Sequence, residues 1–146
     1  MTDSNYPDLP FNPSVILLMF ILTWTFDSFA YIVGKKLGKT KILPTISPKK
    51  SWEGFFGGYL FCILAGILSY FVFEDYFNHI SILSYILITV ILPFTATTGD
   101  FIESYYKRKA GVKDSGKIMP GHGGILDRMD AFLITIPVIY IIININ

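Results

Sequence analysis

Cysteine is nearly missing from this chain: Cys62 is the only one in 146 residues, which excludes an intrachain disulfide and any cysteine-based metal site. It stands in an apolar run and reads as a packing residue. Lys and Arg are absent from 1–34, 51–106 and 129–146. All twelve fall in 35–50 or 107–128, so a net charge of +1 conceals two basic patches on a chain that is not basic overall, and no nucleic-acid partner is expected. The first ten residues lack the basic region and small-residue cleavage site of a secretory signal, so the first apolar segment is expected to be mature structure. Charge of either sign is scarce, at 16% against 52% hydrophobic residues, with a mean hydropathy of +0.52. That balance excludes an ordinary soluble domain and predicts an integral membrane protein.

What is there is a set of long apolar runs. Phe11 to Gly34 is mostly apolar and long enough to cross a hydrocarbon core of about 30 Å at about 1.5 Å per residue. Its one charge, Asp27, is costly inside a span and by default faces the protein interior or water and serves a site; the plainer reading is a cap on a frayed helix end. Residues 35–52 form a basic loop with six lysines, in which Pro44 and Pro48 forbid one continuous helix and favour turns. Gly54 to Phe73 carries no charge, and Gly54, Gly58, Cys62 and Gly66 recur every fourth residue, a small-residue seam suited to close helix packing. Residues 74–79 make a short acidic loop in which His79 is expected to be solvated. Ile80 to Thr98 is again charge-free, contains Pro93, and is predicted to continue as helix through 99–109, where Asp100, Glu103, Ser104, Lys107 and Arg108 share a face. A last span has to begin near Asp127, because only sixteen residues follow Asp130.

The expected architecture is therefore all-α: a polytopic helical membrane protein of four spans and a single domain over 1–146. The confinement of bases to two loops predicts that both lie in the cytoplasm and both termini outside. Four spans offer little lateral surface, so a homo-oligomer is expected, packed through the Gly54/Gly58/Cys62/Gly66 face.

Chemistry concentrates in 99–130. Asp127 and Asp130, three apart, point the same way on a helix, and Asp100 can approach from the preceding one. Clustered carboxylates repel and call for a cation, and Mg²⁺ suits one or two carboxylates plus substrate phosphates. Salt bridges to Lys107, Arg108 and Arg128 are the plainer account. Between the helices, Pro120-Gly121-His122-Gly123-Gly124 permits close backbone approach to an anion, with His122 able to donate to a phosphate or shuttle a proton. In the first basic loop Ser47, Lys49, Lys50 and Ser51 present ammonium and hydroxyl donors together. These residues read as a Mg²⁺-dependent enzyme handling phosphates at a membrane surface, without naming its substrate.

The longer pattern does name one. Ser104-x-x-Lys107-Arg108-x4-Lys113-Asp114-x-Gly116-x3-Pro120-Gly121-His122-Gly123-Gly124-x-x-Asp127-Arg128-x-Asp130 closely resembles the signature of the phosphatidate cytidylyltransferases, or CDP-diacylglycerol synthases. Asp27-Ser28-x-Ala30-Tyr31-x-x-Gly34 and Ser47-Pro48-x-Lys50-x-Trp52-Glu53-Gly54 look like two further motifs of that family, in its order. The resemblance covers about residues 24 to 132 and aligns the chain with the family's C-terminal catalytic half, without its several N-terminal spans. It implies condensation of CTP with phosphatidate to CDP-diacylglycerol and pyrophosphate, with Mg²⁺, in the cell inner membrane or its equivalent. Carried across, Asp100, Asp127 and Asp130 would hold the metal. Asp100, Asp127, Lys107 and His122 would carry catalysis. Asp27, Ser47, Lys50, Ser51, Ser104, Arg108, Lys113, Asp114, Gly123, Gly124 and Arg128 would bind substrate. A cytidylyltransferase for an ether-lipid phosphate and a non-catalytic fragment or subunit are the alternatives. A transporter is disfavoured, because the charges gather at one membrane face and not at mid-depth.

Overall fold

A computed structural model describes residues 13–78, 80–112 and 126–145, apart from the side chains of 126–128 and 145. Its elements are helix α1 (Pro13–Leu37), strands β1 (Lys41–Leu43) and β2 (Ser47–Ser51), and helices α2 (Trp52–Val72), α3 (Glu74–Phe77), α4 (Ile82–Lys109) and α5 (Leu126–Ile145). α1, α2 and α4 are long and apolar enough to cross a membrane, and α5 contributes a shorter apolar stretch, Met129–Asn144. Large apolar side chains point outward all round them, among them Trp24, Leu68, Phe71 and Tyr140. Water would penalise such a surface and a bilayer would cover it, so the protein is integral to the membrane.

The expected helices form where the apolar runs lie. α4 runs unbroken through Pro93 and past Gly99 to Lys109, as the three-to-four spacing of its polar face predicts. The short acidic segment forms one further turn, α3, whose Phe77 is fully buried. The first basic loop departs from a purely helical picture, because it folds back as an antiparallel β1–β2 hairpin with an irregular register, Lys41 opposite Ser51 and Leu43 opposite Ser47. Pro44 sits in its turn, consistent with the turn-rich segment the prolines predict.

The small-residue seam needs correction. It is not an open face for a second copy, because the chain's own helices occupy it. A side chain at Gly58 would run into Ala30 and the Phe26 carbonyl of α1, and one at Gly66 into Thr89 of α4. Cys62, fully buried, turns its thiol toward the Leu22 and Thr89 carbonyls. α2 thus meets α1 along the first part of the seam and α4 further along it. Small residues let these backbones approach, and the dispersion attraction that follows is the main force available between helices in lipid.

α4 and α5 make a second close pair. At Gly99 any side chain would collide with the Asp130 carbonyl. Thr95 and Thr135, both buried, share a hydrogen bond of 3.0 Å across the same pair. The antiparallel run of α1, α2 and α4 brings the hairpin and the C-terminal end of α4 to one end of the bundle.

Candidate active site

At that end the hairpin leans over a cavity of about 310 Å³. Ser51 starts the arrangement. Its backbone is extended and its Oγ accepts from the Gly54 amide at 3.2 Å, capping α2. The same side chain fits against α1 because Gly34 and Gly54 have none: a Cβ on either would come within 3.3 Å of its Oγ. β2 then carries Ser47, Lys49 and Lys50 onto the cavity wall. α1 contributes Asp27 and Tyr31, and α4 contributes Thr97 and Asp100. Lys50 crosses the opening to form an ion pair with Asp100, its ammonium also lying 4.9 Å from the Phe101 ring.

On the far side of Asp100 lies an acidic cluster. Asp100, Glu103 and Asp130 each present a carboxylate oxygen, and these oxygens lie within 4.8 Å of one another. One turn of α4 places Asp100 and Glu103 on the same face, and the contact at Gly99 brings Asp130 of α5 against them. Asp130 also accepts from the Ala131 amide at 2.7 Å. Glu103 is 5% exposed; one of its oxygens pairs with Lys107 at 2.9 Å, and the other, Oε1, is buried without a hydrogen-bond donor among the described residues. Carboxylates gathered in so buried a place repel one another, and either a cation or a shared proton relieves that cost. Clustered hard oxygen donors are the kind that hold a hard cation such as Mg²⁺.

Asp27, Ser47, Lys50, Ser51 and Asp100, five candidates from sequence, thus line one cavity, and Asp100 and Asp130 meet in one cluster. Lys107 reaches the cluster through Glu103, while Ser104 is half-buried and Arg108 exposed on the last turns of α4. Lys113, Asp114, His122, Gly123 and Gly124 fall outside the described residues, as do the side chains of Asp127 and Arg128 on the first turn of α5. Sequence reasoning missed two participants. Glu103 was legible as an i+3 partner of Asp100 but was not assigned to the metal set. Thr97, whose buried hydroxyl has no partner among the described residues, sits in a run of threonines with nothing to single it out.

Proteins named phosphatidate cytidylyltransferase from Staphylococcus epidermidis and Staphylococcus aureus are 46% and 47% identical over 128 residues, covering 88% of this chain and 48% of theirs. The chain spans about half the length of these curated relatives. A solved structure, described as an intramembrane enzyme for archaeal membrane lipid biosynthesis, superimposes with a TM-score of 0.58 at 18% identity, covering 90% of this chain and 77% of that one. At that identity the likeness concerns the fold. The sequence model of the cytidylyltransferase family matches residues 6–146, and the chain belongs to that family.

Proposed function

We propose that this chain is a membrane-embedded catalytic domain that transfers the cytidylyl group of CTP to phosphatidate, giving CDP-diacylglycerol and pyrophosphate. The observation that carries the reading is the juxtaposition of a lysine- and serine-lined cavity with a buried carboxylate cluster through the Lys50–Asp100 pair. A phosphatidate oxygen attacks the α-phosphorus of CTP; the new P–O bond forms as the bond to the β-phosphate bridging oxygen breaks, and pyrophosphate leaves. Lys50, Ser47 and Ser51 bind phosphate oxygens in the cavity, and Lys107, Arg108, Lys113 and the His122 turn bind the rest. Asp100, Glu103 and Asp130, with Asp127, would hold Mg²⁺, which when bound would supply positive charge beside the departing pyrophosphate. An apolar groove of about 560 Å³ between α1 and α5 ends at Met129, beside Asp130, and suits the lipid's chains.

Both basic segments face the cytoplasm in this reading, and both termini lie outside. Cysteines at Lys39 and Lys109, in a Cys62→Ala background, then resist impermeant thiol reagents added outside cells, whereas one at Asp75 reacts. The protein works as a homo-oligomer, through a surface other than the occupied seam.

The deciding assay incubates purified protein with CTP and either phosphatidate or its ether-lipid counterpart, across a Mg²⁺ titration. CDP-diacylglycerol formed only with Mg²⁺ supports the reading. Product from the ether lipid alone reassigns the substrate, and no product from either reduces the chain to a non-catalytic part.

A further inference from the structure

Glu53 lies outside the cavity wall and outside the acidic cluster, yet it holds more of the hairpin than any other side chain among the described residues. Its two carboxylate oxygens accept from the Thr40 amide at 3.0 and 3.2 Å, and one of them also accepts from the Lys39 amide at 3.2 Å. Thr40 is tied a second time, its carbonyl accepting from the Trp52 amide at 2.9 Å. Both polar groups of the Thr40 backbone are therefore fastened to the first turn of α2. The next residue, Lys41, pairs with Ser51 across the hairpin. From there the chain turns once and returns through Ser47 and Lys50, which reach the cavity.

We infer that Glu53 is a positioning residue, whose carboxylate sets the place of Ser47, Lys50 and Ser51 over the cavity by clamping the entry of the hairpin to the start of α2. A role in holding the bundle together fits less well, because Lys39 and Thr40 are exposed and water can satisfy their amides when the carboxylate is gone. A charge role at the site fits less well too, since both oxygens are turned to backbone donors. The strands have little reason of their own to pair: β2 reads Ser-Pro-Lys-Lys-Ser, poor in the branched and aromatic residues that stabilise sheets, and the pairing is short and irregular. The clamp supplies what the strands lack. Misplacing a binding group by about 1 Å can cost about 100-fold in rate.

The kinetic part of the test rests on the cytidylyltransferase reading; the structural part does not. Glu53→Ala removes the acceptors, while Glu53→Gln keeps an acceptor oxygen in the same place and removes the charge. For Glu53→Ala the expected result is a rise of about tenfold or more in the KM for CTP, with a smaller change in kcat and a thermal midpoint within about 3 °C of wild type. Glu53→Gln is expected to recover most of that loss. In parallel, spin labels at Thr45→Cys and Ile102→Cys in the Cys62→Ala background report the distance from hairpin to α4. One narrow distribution is expected for the otherwise unaltered chain and for Glu53→Gln, and a broad one for Glu53→Ala.

Wild-type kinetics together with an unchanged distribution in Glu53→Ala overturn the inference. So does a Glu53→Gln protein as impaired as Glu53→Ala, which would make the charge responsible. Should Glu53→Ala fail to fold, the clamp is a folding element and the inference is overturned. Should the unaltered protein form no CDP-lipid, the function reading fails and the distance distributions alone decide the role of Glu53.

Discussion

The two sides of the cavity are built differently. On one side, α1 and α2 pack along much of their length through glycines, and the groups they offer, Lys50, Ser47 and Ser51, stand on a short hairpin above that packing. On the other, α4 and α5 press together at Gly99, and the carboxylates project directly from the helices that touch. α1 and α2 each meet α4 more narrowly than they meet one another. In the proposed reading the phosphate-binding groups thus depend on a hairpin fastened at its entry by Glu53, whereas the carboxylates are placed by the contact of two helices.

The contrast breaks most completely at Asp100, which belongs to both sides. Asp100→Asn is expected to lower CDP-lipid formation at least about 100-fold while circular dichroism stays helical. Near-normal turnover at the same Mg²⁺ concentration would remove Asp100 from the metal set. Next comes Gly99→Val, which forces α4 away from α5 and is expected to cost about 1–3 kcal/mol through overpacking. Its readout is a lower thermal midpoint in detergent together with lost activity, and an unaltered midpoint would mean that the helices are not in backbone contact.

Lys50→Met sharpens the comparison, since it cuts the pair that joins the two sides and leaves the carboxylates in place. The expected effect is a KM for CTP raised about tenfold, near 1.4 kcal/mol, with the Mg²⁺ concentration for half-maximal rate little changed. A shift in the Mg²⁺ requirement equal to that of Asp100→Asn would merge the two sides into one. The smallest effect is expected at Thr95→Val, which removes the hydrogen bond to Thr135 between α4 and α5. Interhelical bonds of this kind are worth about 0.6 kcal/mol, so a chemical-denaturation midpoint should move slightly and activity should hold.

The same contrast explains what the sequence made legible. The helices follow from the apolar runs, although α1 continues through Lys35 and Lys36 and α4 through the polar stretch to Lys109, and the meeting of Asp100 with Asp130 follows from the close approach of α4 and α5 at Gly99. The hairpin was not legible as strands, because Ser47, Pro48, Lys49 and Lys50 have no strand pattern and are held by contacts made outside them. The Gly54 to Gly66 seam was legible as a face for close packing but not by partner: four-residue spacing marks a side of a helix and carries no information on whether α1, α4 or another copy fills it. Glu103 lay on the right face of α4, yet its burial depends on α5, which sequence spacing along α4 alone does not describe.

The length of α4 has a consequence for encounter. Its 28 residues rise about 42 Å, some 12 Å more than a hydrocarbon core needs. If the apolar part from Ile82 to Thr98 fills most of that core, Asp100 and Glu103 emerge at the depth of the phosphate headgroups, and Lys107 to Lys109 stand about a further 10 Å out. In the proposed reaction one reactant then reaches the site by sliding in two dimensions, its chains never leaving the bilayer, while the other falls from solution onto a basic mast. The reaction's search problem is split between a plane and a volume, and α4 is long enough to touch both.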